Sequence, residues 1–269
     1  MVVLNEAKEY AWRGMTGLYT MAAALSDATD KPVVPLLGSC ARGEFGPAVF
    51  YDAEVIGIQR CYGYGVPFVP TDKKNWIEAY VRAADQVFGV LPIHWDYQDG
   101  DRRLAEAKLL SWVASLPYPA LIAGDCNSTA SGPHKPRRDF SQVSESTQYH
   151  KAMRPSGRDE LVADTRAVDY LIGWWDEHTG TRRGGTGFHD LAEIAGLTYG
   201  EPDTFRPTVT TDTGADDGGG LQIDHLLINT AGHDRLIPAT FAIEIPRGAP
   251  PSTHRVLRAA LDLARHGAH

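Results

Sequence analysis

Short apolar runs closed by polar turns recur along the chain, and most of them are too brief for helices. VVL (2–4), PVVPLLG (32–38) and GPAVFYDAEVIGIQR (46–60) read as strands, with the turn-rich SCARGEFG (39–46) between the last two. WIEAYVRA (76–83) alternates apolar and polar positions, and QVFGVLPIHW (86–95) is a longer apolar run ending at His94. These two are expected as adjacent strands, with a helix over 73–84 as the competing reading. Helical spacing appears at Leu18, Met21, Ala22 and Leu25, closed by the polar SDATD. It appears most clearly in DRRLAEAKLLSWVASL (101–116), where Leu104, Ala107, Leu110 and Ala114 share one face. A strand ending at His94, a crossover helix and the strand ALIAGD ending at Asp125 follow one another directly.

Residues 129–185 are the least regular, rich in Gly, Ser, Pro, Arg and Asp, with a short helix expected around 165–175. GFHDLAEIAGL (187–197) reads as an amphipathic helix and TDTGADDGGG (211–220) as a turn or flexible loop. LQIDHLLIN and PATFAIEI read as strands, and HRVLRAALDL as a strand or terminal helix. No linker divides the order. The expectation is one domain over 1–269, with two sheets packed face to face, helices outside and 129–185 as an irregular insertion.

The chain has 269 residues, enough for a sizeable core, with 43% hydrophobic and 22% charged residues and no repeat. A formal charge of −8 argues against non-specific coating of nucleic acid, while a local basic groove stays open. Three cysteines are too few and scattered for a disulfide framework or a Cys-rich zinc site. No apolar run reaches 18 residues, so no membrane span is expected, and no signal-peptide pattern follows Met1. A cytoplasmic protein is the default expectation.

Apolar strands in this chain keep ending in proton-handling or metal-binding side chains. The ends carry Glu6, then His94, then Asp125 and Asn127, then Asp224 and His225, and finally His254 after PPST. Singly, an Asp after Gly is a turn former and a His at a strand end is a surface histidine. Strand ends on one rim of a sandwich are close in space, so the set reads as a site. Strand alternation turns Asp125 and Asn127 to one side and Cys126 to the other.

In that order the residues resemble the endonuclease/exonuclease/phosphatase family, from Glu6 to His254. The strand LIAGDCN is similar to the family's strand ending Gly-Asp-Phe-Asn, and PDTF (202–205) stands before IDHLL as a Thr-Phe element does in the family. The resemblance implies a four-layered α/β sandwich with two mixed, mainly antiparallel sheets flanked by helices. It implies a phosphoester hydrolase, most of all a phosphodiesterase or nuclease, using Mg2+ or Mn2+. By resemblance Glu6 is the metal carboxylate, and His254 is the phosphate-contacting acid or base with Asp224 fixing its tautomer. Asp125 orients or deprotonates the attacking water, Asn127 donates its amide to a phosphate oxygen, and His94 contacts phosphate or the leaving group.

The sequence departs from the family at two places. The family's Ser-Asp-His is here Ser252-Thr253-His254, so Thr253 replaces a carboxylate ligand. The family's first strand, which bears an Asn, has no counterpart before Val2; a truncated or misplaced start is the expectation, and a protein lacking that part of its sheet and site is the alternative. Arg137 and Arg138, with His134 and Lys135, are the candidate groove for a DNA or RNA backbone, or else a solvated loop. A small substrate (an inositol phosphate or phospholipid head group) and a binding module without activity are the alternatives. A monomer is favoured. Cys126 is expected as a buried thiol rather than a nucleophile, and zinc on His94, His225 and His254 is the minor metal alternative.

Overall fold

The computed structural model describes residues 1–39, 46–62, 75–157, 159–209, 219–244 and 252–264. The chain starts with β1 (Val2–Leu4), runs through α1 (Thr16–Thr29), and returns as β2 (Val33–Leu37) and β3 (Ala48–Asp52). These strands form an antiparallel sheet in the order β1-β3-β2. Side-chain alternation in β3 sorts two cores. Ala48 and Phe50 face α1, where Leu18 and Ala22 are buried against them, and Val49 faces the other way.

The larger sheet follows, with β4 (Ile56–Cys61), β5 (Ile77–Val81) and β6 (Gln86–His94) as consecutive antiparallel strands. WIEAYVRA is therefore a strand and not the helix over 73–84. Ile77, Ala79, Phe88 and Val90 pack on Val49, which joins the two sheets face to face. The turn SCARGEFG lies mostly outside the described residues.

From β6 the chain crosses over through α2 (Gly100–Leu109) and the short α3 (Ser111–Ala114) to β7 (Ala120–Asp125). Strands β6 and β7 are parallel, as a helical crossover requires. Asp99 starts α2 by accepting from the backbone N–H groups of Asp101 and Arg102. The buried face of this helical segment is Arg103, Ala107, Leu110 and Val113, shifted by one position from the face expected through Leu104 and Ala114. Arg103 is tolerated there because its guanidinium donates to the carbonyls of Asp96 and His150 and lies 3.7 Å from Asp164.

The irregular stretch contains α4 (Glu145–Lys151), the two-residue strands β8 (Ala152–Met153) and β9 (Val162–Ala163), and α5 (Arg166–Ile172). A hairpin of β10 (Trp174–Asp176) and β11 (Thr181–Arg183) follows. Helix α5 is the one expected near 165–175. With α2 it covers the outer face of the large sheet, burying Val168 and Leu171 against Ile122 and Leu227.

GFHDLAEIAGL is not one helix. Phe188–Asp190 form β12, and only then does the backbone coil, as α6 (Leu191–Glu193) and one π turn over Ile194–Thr198. Three strand residues are too few to display a period of two, so the apolar run behind them dominates the pattern. Strand β13 (Asp224–Asn229) fits between β12 and β7, giving the order β12-β13-β7-β6-β5-β4. A final hairpin, β14 (Ala242–Glu244) with β15 (Val256–Arg258), packs Ile243 and Leu257 near Ile228. HRVLRAALDL is thus a strand and not a terminal helix. The layers are helix, small sheet, large sheet, helix, as expected. No helix among the described residues is long and apolar enough to cross a membrane.

Candidate active site

The parallel pair brings two strand C-termini to the same rim, and register fixes what stands there. His94 is level with Asp125 across β6 and β7, and Asp224 is level with Asp125 across β7 and β13. Three chemically active side chains thus form a row over three adjacent strands. Asp125 and Asp224 are buried, and the row continues the inter-sheet face of the sheet. Cys126 lies on the opposite face in the core with Ala120 and Ile122, fully buried. Burial pushes its thiol well up, which makes it a packing residue and not a nucleophile.

Gly124 lets the row form. Its φ is +144°, and a Cβ there would lie 2.1 Å from the Ile93 carbonyl and 2.9 Å from the Asn5 amide. Asn5 closes the gap between the sheets. In the orientation that satisfies both ends of its amide, it donates to Ile93 O at 3.1 Å and accepts from Asp125 N at 2.7 Å. That anchor sets Glu6, with φ +49°, beside the row. His94 Nε2 lies 3.5 Å from Glu6 Oε1 and 3.7 Å from Asp125 Oδ2.

His254 arrives from the C-terminal segment, bridged to Val209. Its Nδ1 sits 2.9 and 3.1 Å from the two oxygens of Asp224, and Nε2 lies 4.0 Å from Asp125 Oδ2. Hydrogen bonding to Asp224 raises the His254 pKa to about 9. Burial, and then the charge of Asp224, raises Asp125 to about 6. A carboxylate ready to accept a proton near neutrality therefore faces an imidazolium ready to give one. Ser252 Oγ accepts from His254 N, while the neighbouring Thr253 is exposed.

Asn127, with φ +48°, donates its side-chain amide to Trp95 O at 3.1 Å and Asp125 Oδ2 at 3.2 Å. Its Oδ1 accepts from Lys151 Nζ, at the end of α4. Burial lowers the Lys151 pKa to about 8, with Asp125 opposing that shift and Arg103 and Arg138 adding to it. Lys151 escaped the sequence reading because SESTQYHK carries no motif. The only local signal is the Ser144 cap, whose Oγ accepts from Thr147 N and starts the helix.

The basic stretch divides. Arg137 is exposed and Arg138 lies half-buried toward Lys151. Lys135 is buried instead, with Nζ 2.7 Å from Asp190 Oδ2, 2.9 Å from Gln222 Oε1 and 3.4 Å from Glu193 Oε1. His134 meets Glu193 at 2.9 Å, and Arg182 Nη2 meets it at 2.5 Å. Burial alone would raise both acids. Lys135 nevertheless holds Asp190 well below the carboxylate range and Glu193 at about 2. This network extends to His225, which sits between Asp190 and the Ser128 carbonyl. His225 therefore braces the core behind the row, away from His94 and His254, and the three-histidine zinc set does not assemble.

Asp125, Asp224 and His254 present ligand atoms within 4.8 Å of one another, a set that could hold a metal ion. A divalent cation suits this rim. Two carboxylates stand level on neighbouring strands, and repulsion from Asp224 helps to raise Asp125.

Among solved structures, an AP endonuclease from Archaeoglobus fulgidus superposes with a TM-score of 0.56 at 16% identity, over 97% of this chain and 88% of that one. The 3'-5' exonuclease NExo from Neisseria meningitidis gives 0.54 at 14% identity, with the same 97% and 88% coverage. A truncated TDP2 from Caenorhabditis elegans gives 0.52 at 12% identity, over 96% and 83%. No protein-family model matches the chain, and no curated protein matches it. At these identities the likeness concerns architecture: the chain has the endonuclease/exonuclease/phosphatase fold.

Proposed function

We infer that the protein is a metal-dependent phosphoester hydrolase, and that its substrate is a phosphodiester of DNA or RNA. The observation that carries this is the level row His94, Asp125 and Asp224, with His254 joined to it through Asp224. Asp125, deprotonated above about pH 6, orients the attacking water and takes its proton. His254, held in one tautomer by Asp224, stays protonated to about pH 9 and gives its Nε2 proton to the departing oxygen. Asn127 keeps Asp125 aimed by donating to its Oδ2. His94 is the further donor toward the phosphoryl group. Glu6, with Asp125 beside it, would hold Mg2+ or Mn2+, which supplies charge neutralisation at phosphoryl oxygens. Thr253 offers a neutral hydroxyl at the place of a second carboxylate, so metal affinity should be modest.

Hydrolysis of a small phosphoester is the second reading. It draws on the withdrawal of His134 and Lys135 into the buried network, which removes two candidate phosphate-contacting side chains from any groove. The test is turnover of bis-p-nitrophenyl phosphate, single-stranded and nicked DNA, RNA and a phosphomonoester, with Mg2+ or Mn2+. Turnover lost with EDTA and in His254→Ala supports the assignment, and polymer against small ester decides the substrate class. Turnover that persists in His254→Ala, or in EDTA, refutes it.

A further inference from the structure

Two partly or wholly buried lysines flank the site, and their surroundings differ. Lys135 is surrounded by opposite charge, as a desolvated ammonium requires. Lys151 is not. Its Nζ donates to Asn127 Oδ1 and reaches the Asn127 carbonyl at 3.5 Å, both neutral acceptors. Among the described residues no carboxylate forms an ion pair with it: Asp125 and, more weakly, Asp96 attract it only from a distance, while Arg103 and Arg138 repel it. A partly desolvated cation whose only hydrogen-bond acceptors are neutral is an incomplete ion pair. The missing partner is an anion, and it belongs one side chain away from Asp125, where the scissile group sits in the reading above.

We propose that Lys151 binds the phosphoryl group of the substrate, contacting a non-bridging oxygen on the side of the site opposite His254. An ammonium has three N–H donors, so one is free to reach the phosphate while the others keep Asn127 in place. The arrangement would spread the developing negative charge between two cations carried by separate elements, α4 and the C-terminal segment. It also gives Asn127 a second task, since its amide then links the cation that binds phosphate to the carboxylate that handles water.

This inference rests on the hydrolase reading, and the experiment separates the two. Inorganic phosphate is titrated calorimetrically into the full chain without metal, for the wild type, Lys151→Gln and Lys151→Arg, with urea midpoints measured alongside. Gln keeps an N–H donor for Asn127 but removes the charge, so the urea midpoint should hold while phosphate affinity falls about tenfold or more. Arg should restore binding to within about threefold, since it returns the charge. A purely structural Lys151 would move the midpoint and leave affinity alone. In turnover of bis-p-nitrophenyl phosphate, Lys151→Gln should lower kcat as well as raise KM, because the contact strengthens as charge develops. Unchanged phosphate affinity in Lys151→Gln overturns the proposal, as does an Arg variant no better than Gln, or a wild type that does not bind phosphate. Absence of all turnover would refute the hydrolase reading and leave the phosphate titration to decide Lys151.

Discussion

Replacing Asp224 by Asn removes the acceptor that holds His254 protonated while leaving the size of the side chain unchanged. In the wild type the imidazole titrates at about 9, against an ordinary value of 6.5. At pH 7.5 it should therefore be about 97% protonated, and in Asp224→Asn, where burial disfavours the charge and only Asp125 and Glu6 still favour it, the protonated fraction should fall sharply. The full shift corresponds to ~3.4 kcal/mol. A third of the His254 side chain is exposed, and water screens the pair, so about 1–2 kcal/mol is the figure expected in stability. Because the folded-state pKa is raised, this stabilisation is fully present below pH 6.5 and is lost as pH rises through about 9. The same substitution also relieves the repulsion that raises Asp125, so the stability gap between wild type and variant narrows as pH rises toward about 6, and this contribution is constant above it. The assay is a titration of the His254 ring by NMR with EDTA present, together with urea unfolding at pH 6 and 9.5. A wild-type midpoint near 6.5, or a variant midpoint still above about 8, would refute the reasoning.

Three further outcomes are expected. The pH profile of kcat/KM should be bell-shaped, with an acid limb near 6 and an alkaline limb near 9 that belong to the coupled cluster, and a profile flat down to pH 4.5 would remove Asp125 from its role. Gly124→Ala should cost about 3 kcal/mol or more in urea unfolding, because the new Cβ meets the fixed Ile93 carbonyl at 2.1 Å and cannot relax away. Lys135→Met should cost about 3–5 kcal/mol by leaving the buried Asp190 without its ammonium, while Arg182 still pairs with Glu193, and a loss under about 1 kcal/mol would show that water enters the network.

The strands that carry the site could be read from the sequence because each is a local pattern. LIAGDCN shows its apolar run, its Gly and its alternation in seven residues, and the structure turns Cys126 to the core as alternation requires. The crossover from His94 to Asp125 was also legible, since a strand, a charged-faced helix and a strand lie consecutively. What no pattern displays is register. That Asp224 stands level with Asp125, and not one residue away, depends on pairing between segments far apart in the sequence. The same limit misled the reading of His134 and Lys135. Their counter-charges, Asp190 and Glu193, lie far downstream in a segment that scans as plain amphipathic helix. Lys151 was invisible for the converse reason, because what distinguishes it is a missing partner. The loop TDTGADDGGG lies mostly outside the described residues.

Glu6 lies near the start of the chain and His254 near its end, while Asp125 sits midway, yet the three meet around a single rim. Such contacts, Glu6 with His94 and Asp125 with His254, span large sequence separations, and loop-closure entropy places them late in the folding order. The hairpin of β5 and β6 and the crossover to β7 can form before either end has docked. A chain that has folded most of its core would then hold Asp125 without its partners. Recovery of turnover after refolding should consequently lag behind recovery of secondary structure, and activity would report completion of the fold more faithfully than circular dichroism does.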